Sequence, residues 1–109
     1  STAELGKNIS SLSENIEDVS NEVDNVTNNI NSLSSSISFA VGSSIAIAAS
    51  NLDQAAEMIA NTISSGVAVD LEAASQGMGF DSFADAVNAY NEQYGTNYTV
   101  DSAKEALGQ

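Results

Sequence analysis

From Leu5 to Ile37 the large apolar residues follow one another at spacings of four and three in strict alternation: Leu5, Ile9, Leu12, Ile16, Val19, Val23, Val26, Ile30, Leu33 and Ile37. Apolar residues recurring about every 3.5 positions hold one narrow seam of a helix against a partner helix while both wind left-handed. A lone helix would leave this stripe in water, so the pattern predicts a partner.

With Ile9 set as position a, a is filled by Ile9, Ile16, Val23, Ile30 and Ile37, and d by Leu5, Leu12, Val19, Val26 and Leu33. The flanking e positions are Ser13, Ser20, Thr27 and Ser34. The g positions are Asn8, Asn15, Asn29 and Ser36, with Glu22 the exception. Charged e and g residues normally select partner and orientation. Small uncharged ones let helices approach over a wider face, which suits a parallel trimer. Ile at a with Leu at d favours a dimer, and Val at d does not, so other bundles stay open.

Composition removes most chemistry. With no Cys and no His, the chain lacks thiolate nucleophiles, zinc–thiolate sites, the commonest metal ligand and the commonest general base. The only cations are Lys7 and Lys104, against 15 acidic residues, for a net charge of −13. Phosphate contacts need Lys or Arg, so no nucleic-acid partner is expected. An anionic membrane surface would repel the chain. The most apolar stretch, Phe39 to Ala49, is read as too short to cross a bilayer and is interrupted by Gly42, Ser43 and Ser44, so no membrane is expected either.

Three zones are expected in 109 residues. Residues 2–65 read as a coiled-coil stalk with a stutter near 37–45. There Leu33, Ile37, Val41 and Ile45 advance by fours, adding Val41 and Ile45 to the expected interface. Gly42-Ser43-Ser44 is the plausible break, either a hairpin turn or a point that a continuous helix crosses on its way to Ile63. Ser64-Ser65-Gly66 reads as the stop. Residues 67–109 read as a small helical module. Leu71 to Gln76 gives a turn or two of helix, and Asp81 or Ser82 caps a helix carrying Phe83, Val87, Tyr90 and Tyr94. Gly95 ends that helix and Thr99 caps the last, from Val100 to Leu107. Phe80, Phe83, Val87, Tyr90, Val100, Ala103 and Leu107 are its expected core. The fold class is thus all-α: a long coiled-coil helix followed by a small C-terminal helix-turn-helix module.

Candidate sites are few. Glu14, Glu17, Asp18, Glu22 and Asp24 fall at f, b, c, g and b, spread over the outer faces of a rod. Acid–base pairs need a cleft that moves their pKa values apart, so these carboxylates read as a solvated face. The sequons at Asn8, Asn25 and Asn97 are expected by chance in a chain rich in Asn and Ser, and the first two lie inside the predicted rod. Tyr94 and Tyr98 form a possible contact patch, with Tyr90 assigned to the core. No catalytic, cofactor-binding or metal site is expected.

The Ser/Asn-rich Ile/Val/Leu heptads of residues 2–65 resemble the trimeric stalks of bacteriophage fibres. More faintly, they resemble bacterial lipoprotein rods and secreted helical filament subunits such as flagellins. Lipoprotein rods carry a lipidated Cys that this chain lacks, and flagellin-type subunits pair two long terminal helices where this chain has one. The resemblance implies a homotrimeric, non-enzymatic structural protein of a virion or an extracellular assembly, meeting itself and other structural proteins. The alternative is an adaptor module whose amphipathic helix docks on another protein.

Overall fold

The computed structural model describes all residues, 1–109. It is all-α, with a long helix and then four short ones: α1 (Thr2–Ala48), α2 (Leu52–Ser64), α3 (Leu71–Gly77), α4 (Phe83–Tyr94) and α5 (Val100–Ala106). The chain divides into two compact units, Ser1–Ser32 and Leu33–Gln109. The expected division at 65–67 is therefore displaced, because residues 33–66 share a core with the C-terminal helices.

The first unit consists of α1 alone, and every residue in it is exposed. Its Ser, Asn, Val and Ile are indifferent helix formers, and within the unit no other element packs on the helix. Its one ion pair, the N-terminal amine with Glu4 at 3.7 Å, is solvated and contributes little.

The second unit begins with residues 33–48 of α1. Ser38, Gly42 and Ile45 are the buried positions of that helix. Gly42 lies against the backbone of Ala74 in α3, and Gly77 of α3 lies against the carbonyl of Phe39. Side chains larger than hydrogen at these two positions would hold the helices apart. Ser38 is fully buried and accepts the Asp70 backbone N–H on its Oγ at 2.8 Å, while Ser35 donates its hydroxyl to Asp70 Oδ2 at 3.1 Å. Asp70 in turn caps α3, accepting the N–H groups of Glu72 and Ala73. Two serines that carry no apolar signal in the sequence therefore hold one helix start against another helix.

Gly42 does not break α1. The break comes at Ala49–Asn51, where the Asn51 side chain accepts the Gln54 N–H at 2.8 Å and opens α2. Neither the hairpin at Gly42 nor the continuous helix to Ile63 describes the chain. Glycine at 42 is selected by close helix contact, and an N-cap does the turning. The remaining boundaries match the sequence reading closely: Ser65-Gly66 comes after α2, Ser82 caps α4, Gly95 ends it and Thr99 caps α5. Gly95 sits at φ +65°, the left-handed conformation that closes a helix and suits a residue without Cβ.

The core gathers Ile45 from α1, Ala55 and Ile59 from α2, Val69 from the connection before α3, Leu71 and Ala74 from α3, and Phe83 and Val87 from α4. Val100, Ala103 and Leu107 pack on it from outside, half-buried. The expected C-terminal core was thus incomplete: Phe83 and Val87 are central, Phe80 and Tyr90 are half-buried, and part of the core comes from segments assigned to the stalk.

Candidate functional site

The seam residues separate into two groups. Leu5, Ile9, Leu12, Ile16, Val19, Val23, Val26, Ile30 and Leu33 are each 55–62% exposed, and Ile37 is 45% exposed. Nothing in the chain covers the stripe in the first unit, where each position is solvated along one continuous helix.

Val41 and Ile45 behave differently. Ile45 is 3% exposed and belongs to the core of the second unit, with Val41 packed against that core. Neither is free to meet another chain, which corrects their assignment to the oligomer interface. The steps of four that carried the stripe to them follow the face turned toward the core. A helix that packs on two sides carries two apolar stripes, and spacing alone cannot tell which of them a residue serves.

The aromatic residues form the second feature. The rings of Tyr90 and Tyr94 lie 4.6 Å apart and tilted, and those of Tyr90 and Tyr98 lie 5.9 Å apart, edge to face. Tyr94 and Tyr98 are about two-fifths exposed. Tyr90 donates its hydroxyl to Asp53 Oδ1 at 3.2 Å, and the Asp53 N–H donates to the Tyr94 hydroxyl at 3.1 Å, which ties the start of α2 to α4. Desolvation, then the hydrogen bond to Asp53 and that carboxylate's charge, hold the Tyr90 hydroxyl above the ordinary tyrosine pKa. Asn91 secures the loop after α4: its Oδ1 accepts the Tyr98 N–H at 2.9 Å and its Nδ2 donates to the Tyr98 carbonyl at 2.8 Å.

Beside this cluster an open groove of about 390 Å³ runs between α2, α4 and α5, lined mostly by apolar side chains, with Asp53 and Glu57 as its carboxylates. Of these two, Asp53 is engaged by the Tyr90 hydroxyl. No group of three or more Asp and Glu residues is placed to hold a metal ion. The acidic residues from Glu14 to Asp24 are all exposed on α1, without salt-bridge partners.

By length and composition α1 includes a stretch apolar enough to cross a membrane. The expectation that the apolar stretch is too short is corrected, since Ile30, Leu33 and Ile37 extend it toward the N-terminus. In the second unit the same stretch buries Ser38, Gly42 and Ile45 in protein contacts. No family model, no curated protein and no solved structure matches this chain.

Proposed function

We propose that this chain is a structural oligomerisation protein, a homotrimeric coiled-coil stalk or filament subunit of a virion appendage or extracellular assembly. The observation that carries the reading is the exposed stripe from Leu5 to Ile37, a single heptad phase of ten large apolar side chains. At roughly 100 Å² each, ten such side chains would bury about 1,000 Å² per chain, more than the roughly 800 Å² per partner of a stable interface. Association therefore has enough apolar surface to draw on, and the flanks at e and g, uncharged apart from Glu22, let three helices share it.

The fibre-like Ser/Asn-rich heptads support the structural reading. So does a residue inventory without His, Cys or Arg, from which an enzyme would be hard to build. The proposal includes no cofactor, no nucleic-acid partner and no membrane.

Sedimentation equilibrium of the purified chain at tens of micromolar, in moderate salt, tests the proposal. A mass of three chains is the expected result. A helical monomer would overturn it, and a poorly helical monomer that gains helix on adding a partner protein would favour the adaptor reading instead.

A further inference from the structure

We propose that the oligomer seam continues into the second unit, in unchanged register, through Ala40, Ser44 and Ile47. Copies of this chain then meet in parallel along the part of α1 that also carries the core. The inference rests on the oligomeric reading above and adds the extent of the seam and the direction of its strands.

Counting on from Ile37 at a, the heptad places Ala40 at d, Ser44 at a and Ile47 at d, with no residue inserted or lost. All three are exposed, and Ile47, at 88%, is the most exposed large apolar residue of the chain. The residues that pack inward are Ser38 and Ile45 at b, Val41 at e and Gly42 at f. In a heptad, f points away from the a/d seam and b lies beside it. The core of the second unit is therefore built on the b and f side of the helix, with Val41 at its e edge, and the a and d positions are left bare. What reads in sequence as a stutter is two stripes diverging after Ile37: Val41 and Ile45 turn to the core, while Ala40, Ser44 and Ile47 keep the original phase.

Three observations make a second copy the occupant. No charged residue lies between Asp24 and Asp53, so chains of net charge −13 repel one another least along this segment. Its exposed flanks, Ser36 at g and Ala48 at e, offer no charge by which a foreign partner would be selected. Ser44 then sets direction. In a parallel, in-register arrangement its hydroxyl meets its own equivalents and can be hydrogen-bonded. Antiparallel pairing would set it opposite apolar side chains, with only the carbonyl of its own preceding turn to bond. The Ile47 layer closes the seam one turn beyond.

The chain has no cysteine, so single-cysteine variants carry one unique thiol. Ser44→Cys tests the new layer, Ala40→Cys duplicates the test one layer earlier, and Ile16→Cys reports on the seam of the first unit. Ala46→Cys, exposed at position c, is the control. Under mild oxidation, parallel seam thiols are held at an effective concentration in the millimolar range, so Ser44→Cys and Ile16→Cys should cross-link about tenfold or more faster than Ala46→Cys. Fast linking of Ile16→Cys, with both Ser44→Cys and Ala40→Cys no faster than the control, would overturn the inference and leave the stalk standing. Slow linking of all the seam variants in a chain that still sediments as an oligomer would overturn the parallel direction alone, and in a chain that sediments as a monomer it would overturn both.

Discussion

The carbonyl of Ala74 in α3 occupies the space that a Cβ at position 42 of α1 would need, so the two helices touch backbone to backbone at Gly42. The reciprocal contact, Gly77 on the Phe39 carbonyl, lies on the same interface. Gly42→Ala should therefore destabilise the second unit even though alanine is the better helix former. The obstruction is backbone, which has no rotamer by which to yield. Overpacking costs about 1–3 kcal/mol, and denaturant melts followed by circular dichroism should show a loss in that range. A gain in stability, as alanine gives in an exposed helix, would mean that the contact is absent.

Ser38→Ala removes the hydroxyl that accepts the Asp70 N–H in a fully buried position. The variant leaves a donor unsatisfied beside an apolar methyl group, for a loss of about 1–3 kcal/mol. Hydrogen exchange should locate the effect at the start of α3, where the Asp70 amide loses its protection.

Val23→Asp combined with Val26→Asp puts adjacent a and d layers of like charge in the seam. If association stabilises α1, sedimentation should show dissociation to monomer, with most of the helical signal of the first unit lost. The core around Ile59 and Phe83 contains none of the altered residues. Tertiary signals from the tyrosines should survive, and their disappearance would show that the second unit depends on assembly.

Salt should raise the melting temperature. With two side-chain cations against 15 acidic groups and no ion pair between side chains, the proposed assembly would bring like charges together. About 0.1 M salt screens exposed charges beyond about 10 Å. Lowering the pH toward the pI of about 4.1 acts in the same direction and should promote lateral association. A midpoint that falls with added salt would show that specific attractions dominate instead.

Alkaline pH works on Tyr90. Its hydroxyl binds its proton more tightly folded than unfolded, through desolvation and the bond to Asp53. The stability so gained is fully present below the ordinary tyrosine pKa and is lost as pH rises through the higher folded value. Ultraviolet difference titration should show Tyr90 ionising late, and Asp53→Asn should lower its midpoint.

The sequence by itself determined that this chain is helical, where most helices begin and end, and that α1 has an apolar stripe. Each of these is written in local chemistry: heptad spacing from Leu5 to Ile37, Ser82 and Thr99 as caps, Gly95 as a stop. Of the candidate site, the stripe to Ile37 and the gathering of Tyr94 and Tyr98 near Tyr90 were legible in the same way. Only the tertiary structure decided which of two stripes beyond Ile37 faces inward, and so removed Val41 and Ile45 from the seam. It likewise made Ser38, Gly42 and Gly77 into contact residues and joined residues 33–66 to the C-terminal helices in one unit. The physical reason is that small residues are silent in a hydrophobic pattern. Gly, Ala and Ser gain their importance from a backbone that comes close in space, and for Ser38 that backbone lies 32 residues away along the chain.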